Sequence, residues 1–208
     1  MRLVFASNNA HKLEEVRAIL GGGAELLSLR DVAFEQEIDE TGETLEENSL
    51  LKAQTVWKYL FEGTHGGKER IIDGVFADDT GLEIHALGGK PGVHTARWAA
   101  DEGFGAQDEH HISGNNRRLA LHSLAGKTDR DAQFRTVVTY IQANGCVQQV
   151  EGIVRGTIAM EEKGEGGFGY DPIFVPEGYD KTFAELPAEV KNGISHRARA
   201  MKALCEIL

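Results

Sequence analysis

Two hydrophobic periods, one of about two residues and one of about 3.6, take turns along this chain and outline an α/β protein. Leu3-Val4-Phe5-Ala6 is a short apolar run that predicts a buried strand. It breaks at Ser7-Asn8-Asn9. Leu13, Val16 and Leu20 then fall on one helical face, and Gly21-Gly22-Gly23 stops that helix. Thr44-Leu45-Glu46-Glu47 has the capping-box pattern and opens a second helix to about Leu60, with Asn48 and Lys52 one turn apart on a shared face. The polar, Gly-rich stretch from Glu62 to Gly74 predicts a surface loop. Val75 to Asp79 predicts a strand ending in carboxylates, and the alternating run Leu82 to Leu87 continues it past Gly81. Residues 100–114 read as a loop and Asn115 to Leu124 as a helix. Phe134 to Ala143 and Cys146 to Arg155 are strands joined by the Asn144-Gly145 hairpin turn. A short strand near Gly156 to Met160 and a last helix from Ser195 to Ile207 complete the expectation.

Composition narrows the class without naming it. A chain of 208 residues with 41% hydrophobic and 26% charged positions suits one soluble mixed α/β unit with a cleft, a single domain over 1–208. A formal charge of −11 argues against polymeric nucleic acid as a partner, because a phosphate backbone needs a basic surface. A single nucleotide needs only a local cluster of Lys and Arg. Cys146 and Cys205 are far apart and form no CxxC, which fits a reducing cytosol and gives no zinc site. No apolar run approaches the roughly 18 residues of a membrane span. The start, Met1 to Ala6, is too short for a signal peptide. The expectation is a cytoplasmic protein with no membrane partner.

Four clusters can carry chemistry. Ser7-Asn8-Asn9-Ala10-His11-Lys12 lies between strand and helix, where backbone N–H groups, the helix dipole and a cation make an anion site for a triphosphate tail. The plainer reading is a Ser/Asn helix cap with Lys12 in solvent. Glu37, Asp39, Glu40, Glu43, Glu46 and Glu47, then Asp78-Asp79, supply hard oxygen ligands of the kind Mg²⁺ takes one or two at a time. Strand alternation sends Asp78 and Asp79 to opposite faces, so one of them faces the cleft. Lys52, Lys181, Lys191, His196, Arg197 and Arg199 are cations available to phosphates. Gly166 to Pro172 adds two aromatic faces, Phe168 and Tyr170, and a carboxylate, Asp171. With Ser195-His196-Arg197 it suits a planar, oxygenated, phosphorylated ligand such as a nucleotide. As punctuation alone it is a Gly-Pro turn over core aromatics. Walker A is absent, since neither Gly67-Lys68 nor Gly89-Lys90 has the required upstream Gly.

The order of these motifs is more specific than any one of them. Ser7-x-Asn9-x-x-Lys12 comes first, then Glu40-Thr41-Gly42 with Glu47-Asn48 and Lys52. Ala77-Asp78-Asp79-Thr80-Gly81-Leu82, Ala86 to Gly92, Thr95-Ala96-Arg97, Gly167 to Pro172 and Ser195-His196-Arg197 follow. The series closely resembles the inosine triphosphate pyrophosphatase family, the non-canonical purine NTP pyrophosphatases, over nearly the whole chain. The resemblance implies an elongated mixed sheet with flanking helices and two lobes around a central nucleotide-binding cleft. It also implies a homodimer and Mg²⁺-dependent hydrolysis of ITP, dITP and XTP to monophosphate and pyrophosphate.

Carried over residue by residue, Ser7, Asn8, Asn9, Ala10, His11 and Lys12 bind phosphates, with Lys52 as a further phosphate ligand. Glu40 and Asp79 hold Mg²⁺, and Asp79 is also the general base. Thr80 stands where the family has a substrate-contacting Ser or Thr. Phe168, Gly169, Tyr170, Asp171, Lys191, His196 and Arg197 form base and phosphate contacts. Within that reading Phe168 stacks, Asp171 accepts from N1–H, and His196 or Arg197 donates to O6. Adenine then meets mismatched partners. Exclusion of guanine and the role of Asp78 have no assignment. The rival readings are a Maf-type pyrophosphatase acting on modified pyrimidine or canonical-like nucleotides, and a non-catalytic nucleotide sensor.

Overall fold

In the computed structural model, which describes residues 1–62, 71–105 and 112–208, Leu3–Phe5 of the strand β1 (Arg2–Phe5) and Val75–Ala77 of the strand β3 (Gly74–Ile84) are apolar on both faces because helices cover both. The first of the two compact units comprises Met1–Asp79, Thr136–Gly152 and Arg197–Leu208. In it β1 pairs in parallel with β2 (Glu25–Leu27) and with β3, and the helix α1 (Ala10–Leu20) makes the crossover from β1 to β2. Side-chain alternation sorts the core into two layers. Val4, Val75, Ala77 and Ile141 pack with Ala53 and Val56 of α2 (Leu45–Phe61). Leu3, Phe5, Phe76, Val138 and Tyr140 pack with Val16 of α1 and with Ala200, Met201 and Leu204 of the last helix. The Phe5 and Phe76 rings stack at 4.9 Å.

α2 starts where the capping box places it. Thr44 Oγ1 accepts from Glu47 N–H, and Glu47 Oε2 accepts from Thr44 N–H. The buried hydroxyl of Ser49 fixes this helix to the sheet. It lies 3.0 Å from the Ala77 carbonyl and 2.9 Å from Thr139 Oγ1, and it accepts from Thr139 N–H at 2.8 Å.

The second unit comprises Thr80–Arg135 and Ile153–His196. The strands β3, β5 (Asp131–Gln142) and β6 (Val147–Ile158) contribute residues to both units. Hydrogen bonding runs β2-β1-β3-β5-β6-β7, with β4 (Pro91–Gly92) antiparallel on β3 and β7 (Phe174–Pro176) antiparallel on β6. The core of this unit gathers Leu82, Ile84, Leu119, Val154 and Ile173 around an aromatic group of Phe134, Phe174 and Phe183. Asn116, buried on α4 (Ile112–Ser123), knits the preceding turn. It accepts from Ala99 N–H at 2.7 Å and donates to the carbonyls of Thr95 and Ala96.

Several boundaries differ from expectation. β3 is one uninterrupted strand to Ile84, and His85–Leu87 is a single 3-10 turn rather than strand. The separate strand expected at Gly156 to Met160 is the far end of β6, which reaches Ile158. The expected loop over 100–114 gives way at both ends, to α3 (Trp98–Asp101) and to an α4 that begins at Ile112. The last helix forms as expected, as α6 (His196–Cys205), and an unexpected short helix, α5 (Ala188–Ile194), precedes it across Ser195. Most of the surface loop expected at Glu62 to Gly74, residues 63–70, and residues 106–111 of the 100–114 loop lie outside the described residues.

Candidate active site

Strand alternation decides which partners the two adjacent aspartates meet. Asp78 shares the face of Phe76, the face packed by α1 and α6, and it meets a cation from each. Lys12 Nζ donates to Asp78 Oδ1 at 2.9 Å, and Arg197 Nε donates to Asp78 Oδ2 at 3.0 Å. A second carboxylate, Glu15, accepts from Arg197 Nη1. Two acids and two cations leave this set electrically neutral. The Asp78 side chain is 0% exposed and that of Arg197 1%. Burial opposes the Asp78 charge, but Lys12 and Arg197 more than offset it and hold its carboxyl well below the usual carboxylate range. Lys12 is pulled below the ordinary lysine value by burial. Attraction to Asp78 opposes this, while repulsion from Lys52 and Arg197 adds to it.

A carboxyl with a depressed folded-state pKa stabilises the fold fully above its unfolded value, and that stability is lost as pH falls through the folded value. The metal-free protein is therefore expected to lose urea resistance progressively below about pH 4, the unfolded carboxylate value. Asp78→Asn should flatten that fall, and urea midpoints at a series of pH values check it. Equal slopes for both proteins would mean that Asp78 does not carry the acid limb.

Asp79 shares the face of Val75 and Ala77 and meets α2. Lys52 Nζ donates to Asp79 Oδ1 at 2.7 Å and lies 3.3 Å from Glu40 Oε1. Lys52 and Asp79 are both more than nine-tenths buried, whereas Glu40 is 39% exposed. Asn48, one turn before Lys52 on α2, holds the Glu40 segment by accepting from Gly42 N–H at 2.8 Å. The approach is close: a Cβ on Gly42 would stand 2.7 Å from both Asn48 Oδ1 and Glu47 Cβ. Burial lifts the Asp79 carboxyl above its ordinary value, and Lys52 and Lys12 restore the balance only in part. Burial disfavours the Lys52 charge, yet Asp79, Asp78 and Glu40 together leave its pKa raised.

Two carboxylates on one ammonium leave one net negative charge here, in contrast with the neutral Asp78 set. Among the described residues no group of three or more His, Cys, Asp or Glu is assembled as a metal cage. The donor set still fits Mg²⁺, which is commonly bound by one or two carboxylates, waters and substrate phosphates. The buried Nδ2 of Asn48, with no hydrogen-bond partner among the described residues, is a donor for a substrate oxygen and not a ligand for the ion. A desolvated donor beside acids and a lysine suits an oxygen-rich ligand.

The turn from Ser7 to Lys12 joins β1 to α1 and lies in the same unit. Asn9 caps the helix, its Oδ1 accepting from Lys12 N–H at 3.1 Å, and Ser7 Oγ accepts from Asn9 N–H. Asn8, Ala10 and His11 are exposed. The cap and the cation are thus both present, and Lys12 is not in open solvent.

A second cluster forms in the other unit. Asp171 is buried and its Oδ2 accepts from Phe168 N–H and from Lys191 Nζ, each at 2.7 Å. Lys191 Nζ lies 5.0 Å from the centroid of the Phe168 ring. Gly167 makes this possible. Its φ is +70°, and a Cβ there would fall 2.0 Å from Asp171 Oδ2. Arg117 Nη1 donates to the Gly169 carbonyl at 2.8 Å, and Tyr170 donates its hydroxyl to the Thr95 carbonyl at 3.0 Å. Tyr170 is buried, which raises its pKa, and its hydroxyl bond makes it an anchor of the loop. His196 stacks on Phe134, their centroids 4.6 Å apart. Thr80 is half-buried directly after Asp79.

The expected residues thus assemble as two clusters: Lys12, Lys52, Glu40, Asp79 and Arg197 in one unit, Phe168, Asp171 and Lys191 in the other. Arg197 and His196, expected to act together on a base oxygen, have different surroundings, carboxylates for one and an aromatic ring for the other. Glu15 and Arg117 are not among the residues that sequence reasoning singles out. Neither has a local signal, since their partners are 182 and 52 residues away. A cavity of about 830 Å³ in the second unit, lined by Glu83, Gln133, Arg155, Thr157, Val175 and Tyr179 among others, contains none of the candidate residues. Its polar side chains are half-buried or exposed, and Glu83 is already bonded to Gln133. It lacks a desolvated charge to orient a ligand, so the chemistry is assigned to the ion-pair clusters.

This is an α/β fold, a mixed sheet with flanking helices, whose buried acids and lysines suit a phosphorylated ligand and a divalent cation. The Ham1 family profile matches residues 3–207, so the chain belongs to the Ham1 family. A dITP/XTP pyrophosphatase of Flavobacterium johnsoniae is 42% identical, with 100% of this chain and 98% of that protein covered. One of Porphyromonas gingivalis is 43% identical, with 100% and 97% covered. The Ham1 protein of Staphylococcus aureus superposes with a TM-score of 0.81 at 35% identity, over 100% of this chain and 97% of that one.

Proposed function

We propose that this protein hydrolyses deaminated purine nucleoside triphosphates, ITP, dITP and XTP, to the monophosphate and pyrophosphate. The observation that carries the reading is the net negative Glu40–Lys52–Asp79 set in the same unit as the capped Ser7–Lys12 turn. Membership in the Ham1 family, with relatives named dITP/XTP pyrophosphatases, supports the substrate class. On this reading the chain is a single pyrophosphatase domain over 1–208.

Glu40 and Asp79 are the residues that would hold Mg²⁺. When bound, the ion neutralises phosphate charge and steadies the leaving pyrophosphate. Lys52, now on both carboxylates, and Lys12, at the head of α1, donate to phosphate oxygens. The backbone of Ser7 to His11 and the positive end of α1 accommodate the rest of the tail. Asp79 takes the proton from water as its oxygen bonds to the α-phosphorus. The α–β anhydride bond breaks, and its electron pair leaves with pyrophosphate. A carboxyl raised above its ordinary value by burial is better matched to this role than a solvated one. Phe168 stacks on the purine, Asp171 accepts from N1–H, and Lys191 is the donor of that cluster for the C6 carbonyl. Adenine, with an amino group and a bare N1, leaves both groups mismatched.

The test is a panel of nucleoside triphosphates with and without Mg²⁺. ITP and XTP should turn over only with the metal and release pyrophosphate first. ATP should be slower by at least about 100-fold in kcat/KM. Equal turnover of ATP, or orthophosphate as first product, overturns the reading. Preferential turnover of modified pyrimidine triphosphates supports a Maf-type activity instead, and no release from any nucleotide a sensor. The same family reading carries a homodimer in the cytoplasm. Two exposed cysteines with no disulfide are compatible with that compartment. Sedimentation equilibrium checks the dimer.

A further inference from the structure

We propose that Asp78 is a positioning residue for the phosphate end of the site, one buried carboxylate that sets both the ammonium of Lys12 and the guanidinium of Arg197. The proposal rests on reading the Ser7–Lys12 turn as the phosphate site.

Four observations carry it. Both Asp78 oxygens are engaged, Oδ1 by Lys12 at 2.9 Å and Oδ2 by Arg197 at 3.0 Å, and the side chain is 0% exposed. A carboxylate so enclosed does not meet substrate, so its influence passes through its two partners. Second, the partners come from opposite ends of the chain, α1 and α6, and β3 is the strand against which both helices pack. Third, Lys12 retains 15% of its side-chain exposure. An ammonium has three N–H groups, so Lys12 can keep its bond to Asp78 and still present others to a phosphate oxygen. Fourth, the set is balanced by Glu15, with two acids against two cations, and needs no further cation. The Asp79–Glu40–Lys52 set, by contrast, carries an unbalanced negative charge.

The adjacent aspartates therefore divide the work. Asp79 takes part in the chemistry, and Asp78 fixes in advance a long, flexible lysine that would otherwise be ordered at the expense of binding. Without Asp78, the two cations lose the carboxylate they share and repel each other, and Lys12 loses its orientation.

A double-mutant cycle on the full-length protein tests this, using Asp78→Asn, Lys12→Met and the pair, with ITP turnover and thermal melting as readouts. Asp78→Asn should raise KM for ITP about 10- to 100-fold while kcat changes less. Little further rise should appear when Lys12→Met is already present. Asp78→Glu, which keeps the charge, should recover part of the loss. In melting, the double variant should be more stable than Asp78→Asn alone, because removing one buried cation restores the balance. The Mg²⁺ concentration for half-maximal activity should stay within about threefold of wild type. Additive KM effects, a loss confined to kcat, or a tenfold shift in Mg²⁺ requirement overturns the proposal. If Asp78→Asn does not fold, a folded double variant with the KM of Lys12→Met supports it. A double variant that also fails to fold overturns it, since the carboxylate then serves the fold independently of Lys12. A wild-type protein without ITP turnover overturns the functional reading, and the melting cycle still decides whether Asp78 holds Lys12.

Discussion

Asp79→Asn is expected to lower kcat for ITP by about 10²- to 10⁴-fold, the range for loss of a positioned general base. The substitution is nearly isosteric, and an amide oxygen still accepts from Lys52 across the present 2.7 Å contact. What it removes is the proton acceptor and one negative charge. The Glu40–Lys52–Asp79 set becomes neutral, so the Mg²⁺ needed for half-maximal activity should rise as well. Folding should be little affected. Burial already disfavours the Asp79 charge, and Lys52 keeps Glu40 at 3.3 Å. Steady-state kinetics over a Mg²⁺ series, with a thermal melt, check all three parts. Residual activity above about a tenth of wild type would remove Asp79 as the base. A large fall in melting temperature would instead make it a structural ion-pair partner. The contrast with Asp78→Asn is the informative one: adjacent residues, the same chemical change, with kcat expected to fall in one and KM to rise in the other.

That contrast is partly legible in the amino-acid sequence. Alternation along a strand sends neighbouring side chains to opposite faces, so the run from Val75 to Asp79 implies different surroundings for the two acids. Which surroundings each acid meets is not legible there. Lys12 and Arg197 reach Asp78 from 66 and 119 residues away, and no local pattern encodes such pairings. Local signals are reliable where the physics is local. The capping box at Thr44–Glu47, the stop after Leu20 and the Asn144-Gly145 turn all form as expected. The missed elements are short: β4 has two residues, β2 and β7 three each, α3 four and α5 seven. Segments of that length hold too few periods to register, and neighbours stabilise them, as β6 does for Phe174–Pro176. The ligand-like residues around Asp171 stand out through motif order. The reason for Gly167 does not, because a left-handed φ and a carboxylate 2.0 Å from an added Cβ are facts of the folded loop.

Asp171→Asn is expected to erode the preference for ITP over ATP by at least about tenfold in kcat/KM, through its effect on the base rather than the phosphates. A carboxylate can only accept, which matches the N1–H of hypoxanthine and leaves the bare N1 of adenine without a partner. An amide whose oxygen stays on Phe168 N–H and Lys191 turns its NH₂ toward the base, where it suits the bare N1 of adenine and opposes the N1–H of hypoxanthine, so the discrimination should shrink from both sides. The same carboxylate also holds the loop, accepting from Phe168 N–H and from the buried Lys191 ammonium. An amide retains one acceptor for these donors, whereas Asp171→Ala retains none. The alanine variant removes the carboxylate partner of a lysine whose side chain is only 6% exposed, and breaking a buried pair from one side typically costs about 3–5 kcal/mol. The alanine variant should therefore lose stability and activity together, and the asparagine variant mainly selectivity. Paired kcat/KM values for ITP and ATP, measured beside melting curves for both variants, separate the two roles. An unchanged ITP-to-ATP ratio in Asp171→Asn, with stability lowered, would leave Asp171 as the anchor of the Phe168 loop. Selection between bases would then pass to Lys191, the cation beside the Phe168 ring.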